Sequence, residues 1–180
     1  PDCKNSGDAG QSDLCTFGVY LNSNFSITGF TVKLDSPDEK GQTNGKDVGE
    51  VGTSGEIIIV GVFNGETSYF NGLGNENNGV WESSGGNDIF IARYDANGEL
   101  GYFTSFGSVS TDEAASIAPI PGGFVVLGTV TSTTDDPAIV QHGQDTWTAP
   151  SGQGGKDILM LRISTAGKIL DGFSFGSSED

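Results

Sequence analysis

Histidine, cysteine and methionine are scarce in this chain of 180 residues, which has one His, two Cys and one Met. A structural zinc site needs several Cys or His ligands together, so these numbers argue against one. The single histidine, His142, stands in "VQHGQD", and no G-x-S-x-G motif accompanies it. No glycine loop followed by Lys-Ser/Thr marks a phosphate site either. The sequence therefore predicts no catalytic residues.

Positive charge is also scarce, with eight Lys and Arg against 24 Asp and Glu and a net charge of -16. Phosphate backbones and anionic lipid surfaces repel such a chain, so we expect no nucleic-acid partner. No apolar run approaches the roughly 20 residues of a membrane-spanning helix, so we expect no membrane insertion. The acidity is typical of a soluble exterior protein and also of a calcium-dependent surface.

The only two cysteines lie close together in a polar N-terminal segment. Cys3 and Cys15 predict a local disulfide in an oxidising compartment, and thus an extracellular or cell-surface location. Asn24 begins the one N-x-S/T sequon, which is compatible with glycosylation of a secreted chain.

Glycine, in contrast, is abundant, and 29 glycines argue against long helices because each costs roughly 1 kcal/mol relative to Ala in a helix interior. The chain also repeats itself. The stretch "GGNDIFIARYDANGEL" at 85–100 returns as "GGKDILMLRISTAGKIL" at 154–170. One offset of 69 residues places Asp88 on Asp157 and also superposes Arg93 on Arg162. Such a register indicates a fold built from repeated units.

The best copy contains four short segments that are rich in β-branched and aromatic residues and are bounded by Gly, Pro, Asn or Asp. They read "DIFIARYD", "GELGYFTSFG", "AASIAPIPG" and "GGFVVLGTVTS". The stretches "DANG" at 95–98 and "PIPGG" at 119–123 predict tight turns. The apolar runs "IIIV" and "FVVL" predict strands covered on both faces. We expect about nine to eleven antiparallel strands, four in each repeat, with Gly-Gly-x-Asp segments linking one unit to the next.

A weaker copy lies upstream. The stretch "GFTVKLDSPDEKG" is similar to "FIARYDANGEL" and places Lys33 at the position of Arg93. The stretch "SGEIIIVGVFNG" is similar to "GGFVVLGTVTST" and places Gly61 on Gly128.

A four-stranded unit of this size buries little surface alone, and radial stacking of such units gives a β-propeller. The pieces "GGNDIFIARYDANGEL", "SFGSVSTDEAASIA" and "GGFVVLGTVTSTTDDP" resemble the SBBP-type bacterial β-propeller repeat. Asp136 stands where that family usually has an aromatic residue. The resemblance implies an all-β fold of propeller-like blades of four antiparallel strands, with about two and a half repeats here. A β-sandwich completed by strand exchange is the alternative.

The repeat predicts boundaries along the chain. We expect a polar segment at 1–24, a degenerate repeat at 25–84, the best-preserved repeat at 85–153 and a partial repeat at 154–180. The last strand, around "FSFG", would then lack neighbours on one side. We expect it to pair either with residues 17–30 of the same or a neighbouring chain or with polypeptide beyond the given sequence.

Several side chains are candidates for binding. Asp135 and Asp136, beside several hydroxyls, could hold a hard cation such as calcium, with a solvated loop tip as the alternative. Trp81 and Trp147 occupy related positions between repeats, where they either pack or form an aromatic platform for sugars.

The cations at the repeated strand position, Lys33, Arg93 and Arg162, are expected to be structural. Each would pair with a repeated acid or cover apolar surface with its stem. The acids considered are Asp88, Asp112 and Asp157.

These observations favour a non-catalytic, extracellular or cell-surface structural and interaction protein that binds a protein partner or itself. Two alternatives remain at this level. One is a carbohydrate-binding module or carbohydrate-active enzyme that uses a propeller face, and the other is the subunit of a strand-exchanged filament or surface layer. No cofactor is expected apart from calcium.

Overall fold

A computed structural model describes residues 16–21, 27–35, 42–51, 55–70, 80–131, 139–142, 145–148 and 155–176. The regular structure in these ranges is all β, and no helix occurs among them. The strands are β1 (Thr16–Leu21), β2 (Ile27–Asp35), β3 (Gln42–Val51), β4 (Glu56–Asn64), β5 (Glu66–Phe70), β6 (Val80–Glu82), β7 (Asp88–Tyr94), β8 (Leu100–Gly107), β9 (Glu113–Ile120), β10 (Gly123–Thr131), β11 (Ile139–His142), β12 (Asp145–Thr148), β13 (Lys156–Ser164) and β14 (Ile169–Phe175).

The expected nine to eleven strands were too few, because two short hairpins lie where the sequence indicated connections. These are β5–β6 and β11–β12, and their strands are only three to five residues long. Strands this short give a weak signal in the sequence.

The strands form three antiparallel sheets. The first sheet has the order β1-β2-β5-β6, the second β12-β11-β8-β7-β4-β3, and the third β14-β13-β10-β9. The described strands do not close into a barrel or a propeller. The Gly-Gly-x-Asp segments do connect different sheets, since one leads from β6 to β7 and the other from β12 to β13.

The four strands grouped from the sequence as one unit divide between two sheets, which corrects the expected grouping. β7 and β8 continue the sheet of β3 and β4, whereas β9 and β10 begin the sheet completed by β13 and β14. A repeat in sequence establishes the period of the units but not the point at which one sheet ends. Here the sheets change in the loop between β8 and β9.

The repeat register of 69 residues is confirmed in the strand pairing. Ile89 pairs with Phe106, as Ile158 pairs with Phe175, and both hairpins have an irregularity directly after the arginine. Gly98 and Gly167 both have a φ of 84° at the turn, which only glycine adopts readily. β7 and β13 are therefore equivalent central strands, as predicted.

The upstream copy was partly misaligned. Gly61 and Gly128 are equivalent, because they pair with Phe90 and Leu159, which the same offset relates. Lys33, however, lies on β2 between β1 and β5, which is the place of β8 rather than of β7. The alignment had therefore matched the second strand of the upstream hairpin with the first strand of the downstream one.

Two apolar clusters hold the sheets. One lies between the second and third sheets and the other on the opposite face of the second sheet, so β4 and β7 are covered on both faces. The stretch "IIIV" is buried throughout, as predicted, whereas Leu127 at the end of "FVVL" is exposed. The third sheet thus has one covered face and one open face.

Within this chain, β14 does not pair with residues 17–30 in the part that the structure describes, so that version of the prediction is wrong. Pairing with a neighbouring chain, or with polypeptide beyond the given sequence, stays a prediction. Residues 17–21 and 27–30 lie in β1 and β2, which pair with each other and, through β2, with β5. β14 pairs with β13 alone among the described strands. The equivalent edges of β2 and β8 are each covered by an inserted hairpin, β5–β6 and β11–β12 respectively.

Candidate interaction surface

Five of the predicted site residues lie outside the part of the chain that the structure describes. They are Cys3, Cys15, Asn24, Asp135 and Asp136. The predicted disulfide, glycosylation site and calcium site therefore stay predictions.

The two tryptophans lie on equivalent hairpins rather than in loops. Trp81, on β6, pairs with Thr67, and Trp147, on β12, pairs with Val140. Each is the last residue but one of its strand. Hairpin β5–β6 extends the first sheet, and hairpin β11–β12 extends the second. The two tryptophans, which occupy related positions in the sequence, therefore also occupy equivalent positions in the fold.

Arg93 joins the second sheet to the third. Its Nη1 donates a hydrogen bond of 2.7 Å to the carbonyl oxygen of Thr165, in the β13–β14 turn, and its Nη2 contacts Glu56 Oε2 at 2.8 Å. The predicted partners were Asp88, Asp112 and Asp157, so the pairing is corrected to Glu56. Glu56 is better placed because it begins β4, directly beside β7.

Arg162 is the equivalent side chain of the third sheet and has different partners. Its Nη1 lies 2.8 Å from Asp171 Oδ2, across the β13–β14 pair. Both side chains are well exposed, so this pair contributes little stability, about 0–1 kcal/mol at most. The guanidinium of Arg93 thus reaches the next sheet, whereas that of Arg162 stays at the surface.

Tyr102, on β8, lies opposite Arg93 and is buried. Burial raises the pKa of Tyr102 to about 12, although the positive charge of Arg93 acts in the opposite direction. A phenol in this environment stays protonated at neutral pH.

The repeated acids Asp88, Asp112 and Asp157 are buried at the end of the sheets, and the first two accept hydrogen bonds from backbone N–H groups. Asp112 is fully buried, and its carboxylate accepts hydrogen bonds from the N–H groups of Ser108 at 2.7 Å and Thr131 at 2.8 Å. The backbone N–H of Asp112 donates to the carbonyl of Asn87 at 2.7 Å. One side chain therefore ties the β8–β9 loop to β10 and, through the backbone, to the start of β7.

The stretch "DANG" forms the predicted turn. Asp95 Oδ1 accepts hydrogen bonds from the N–H groups of Asn97 and Glu99, both at 2.8 Å. Burial raises the pKa of Asp95, but these bonds outweigh it and lower the pKa overall. The carboxylate is thus used by its own turn.

The open face of the third sheet is the largest feature that the sequence reasoning missed. We call it the outer face and define it by alternate residues on three neighbouring strands. Its large apolar side chains are half exposed, at 41% for Leu127, 47% for Ile158, 53% for Phe173 and 57% for Phe175. Met160 lies between them, paired with both Leu127 and Phe173.

The second sheet has residues at the positions equivalent to the outer face, but there these residues are buried. The residues equivalent to the outer face have little or no exposed surface and pack against the third sheet. In the order used above they are Val60, Ile89, Thr104 and Phe106, with Ile91 in the place of Met160. The alternation of "DILML" and "GFSF" was the sequence signal for this face, but only the sheet order shows that nothing described covers it.

Two further findings concern the described ranges alone. They contain no group of three or more His, Cys, Asp or Glu side chains placed to hold a metal ion. They also contain no helix with the length and hydropathy to cross a bilayer.

Comparisons of the chain with protein family models, with curated proteins and with solved structures found no match.

Proposed function

We propose that this chain is a non-catalytic structural and interaction protein of the cell exterior or cell surface. Its sheets would be units of a β-propeller-like repeat array. The observation that supports this most directly is the outer face, an apolar surface on a rigid sheet. Exposed apolar patches of this kind mark interaction sites in soluble proteins.

Rigidity supports the same proposal. The second and third sheets share one core, and the polar groups at their junction are used in binding backbone, as Asp112 and Arg93 are. Such a junction holds the outer face in a single orientation. A preorganised surface binds a partner with little further loss of conformational entropy.

Charge supports an exterior location. The excess of 24 acidic over eight basic residues keeps the chain soluble and opposes association with anionic surfaces. The predicted disulfide between Cys3 and Cys15 requires an oxidising compartment. Mass spectrometry of exported protein without reduction would test that part directly, with two free thiols as the contradictory result.

Sugar binding is the second candidate, and the placement of the tryptophans favours it. Trp81 and Trp147 recur at the same position of two equivalent hairpins, as a repeated aromatic platform would. Repeated aromatic rings at one edge of an array suit the apolar faces of carbohydrate rings.

A glycan-array screen combined with a panel of glycoside hydrolysis assays separates the two candidates. The proposal predicts neither specific glycan binding nor hydrolysis by the full chain. The single variants Trp81→Ala and Trp147→Ala serve as matched controls, since they alter the two equivalent positions. Specific binding that either variant abolishes would replace the proposal with the carbohydrate-binding function.

A further inference from the structure

We propose that the outer face of the third sheet is the docking surface for one further repeat unit of the same design, a four-stranded sheet with its inserted hairpin. The inference rests on the proposed function and names the partner. It is based on the contact between the second and third sheets, which shows what such a face binds.

The first argument is the equivalence of the two faces. Ile89 and Phe106 of the second sheet are buried against the third sheet, and their equivalents Ile158 and Phe175 form the same cross-strand pair on the outer face. The inner face of the third sheet, which shares one buried cluster with Ile89, includes a row of aliphatic residues from β13, namely Leu159, Leu161 and Ile163. A sheet with such a row is complementary to the outer face.

The second argument is Arg162. At the covered junction, the equivalent Arg93 donates to the carbonyl oxygen of Thr165 in the turn of the following sheet. Arg162 lies on the outer face at the same register, with its guanidinium exposed beside Asp171. A repeat unit docked in the same way would place its own turn carbonyl within reach of Arg162.

The third argument is the edge of β14. Hairpin β11–β12 extends the sheet at β8, with Val140 opposite Phe106. Phe175 occupies the corresponding place on β14, whose outer edge has no partner strand among the described residues. A repeat unit brings both elements that the covered junction uses, the sheet for the face and the hairpin for the edge.

The test supplies that unit covalently. Gly107 and Gly176 are equivalent, so a second copy of residues 108–176 is appended after Gly176 to give an extended chain. Three substitutions are compared by urea unfolding in the 180-residue chain and in the extended chain. In the extended chain each substitution is made in the original residues and not in the appended copy. Ile158→Asp alters the outer face, Ile89→Asp alters the buried equivalent, and Val109→Asp alters an apolar residue that is 62% exposed away from this face.

In the 180-residue chain, we expect Ile158→Asp to shift the unfolding midpoint no more than Val109→Asp does, and Ile89→Asp to lower it strongly. In the extended chain, Ile158→Asp should lower the midpoint as Ile89→Asp does, while Val109→Asp stays neutral. Amide exchange at the end of β14, at Phe175 and Gly176, should slow at least tenfold as the hairpin pairs with this strand.

An equally small effect of Ile158→Asp in both chains would overturn the proposal. So would an appended unit whose amides stay unprotected, because it would not have folded onto the face. Concentration-dependent dimers of the 180-residue chain that Ile158→Asp abolishes, without any added effect in the extended chain, would assign the face to a second copy instead. The outcome of the glycan screen does not depend on any of these results. Failure of the docking proposal is therefore distinguishable from failure of the proposed function.

Discussion

At Gly107 the absence of a side chain lets two buried carboxylates pack directly on the backbone. A Cβ there would overlap Asp88 Oδ1 and lie 2.7 Å from Asp112 Oδ2. Gly176 has the same relation to Asp157 at the end of β14. The glycine of Phe106-Gly107, which recurs in Phe175-Gly176, is thus explained by the acid that faces it.

Gly107→Ala should therefore destabilise the protein by about 1–3 kcal/mol, because an added methyl group in a packed site forces the Asp88 and Asp112 carboxylates apart. Gly101→Ala is the matched control on the same strand, since the nearest atom to its Cβ would be Arg93 O at 3.5 Å. Urea unfolding followed by tryptophan fluorescence measures both. Equal midpoints for the two variants would show that the carboxylates yield without cost.

Between elements, the edge strands β3 and β9 of neighbouring sheets are joined by one carboxylate. Asp47 Oδ2 accepts hydrogen bonds from the Ser116 hydroxyl at 2.7 Å and from the Ile117 N–H at 2.9 Å. The bond from Ser116, followed by that from Ile117, lowers the pKa of Asp47 below its ordinary value of 3.8, although burial acts in the opposite direction. The ionised form is therefore the one that joins the sheets.

The sign of the pH dependence follows from this lowered pKa. The stability that Asp47 contributes is fully present above the ordinary pKa of 3.8 and is lost as the pH falls through the lower pKa of the folded state. Asp47→Asn should thus destabilise the chain near neutral pH, and the difference from the unmodified chain should shrink below 3.8. Urea unfolding at a series of pH values checks this, and a difference independent of pH would refute it.

Elements with strong local signals were predictable from the sequence. The matching Asp88 and Asp157, together with the turns at Gly98 and Gly167, gave the equivalence of β7 and β13. The division of strands among sheets was not predictable, because the β7–β8 hairpin reads the same whether it pairs with β4 or with β9. The outer face was not predicted for the same reason. Ile158 lies in an apolar segment typical of a buried strand, and its exposure depends on whether another sheet packs against it.

For the whole molecule, a net charge of -16 on 180 residues means that like charges repel throughout the folded chain. Ion pairs of the described residues, such as Arg93–Glu56, Lys156–Glu113 and Arg162–Asp171, lie at least partly at the surface and offset little of this repulsion. Screening by salt therefore acts mainly on the repulsion.

Raising sodium chloride from about 0.01 M to about 0.15 M shortens the Debye length from about 30 Å to about 8 Å and should raise the urea unfolding midpoint. Urea suits this measurement because it is uncharged. Addition of about 1 mM calcium chloride at the higher salt tests the calcium site predicted at Asp135 and Asp136, which would add a further rise. A midpoint that falls with sodium chloride would show that the ion pairs outweigh the repulsion.

The equivalence of Gly107 and Gly176 also has a genetic consequence. Both codons stand at the same point of the fold, where the second strand of an equivalent pair, β7–β8 or β13–β14, ends. Unequal crossing-over between the two copies inserts or deletes 69 codons in frame, the distance from Gly107 to Gly176, without cutting any strand. Such an exchange lengthens or shortens the chain by one whole repeat.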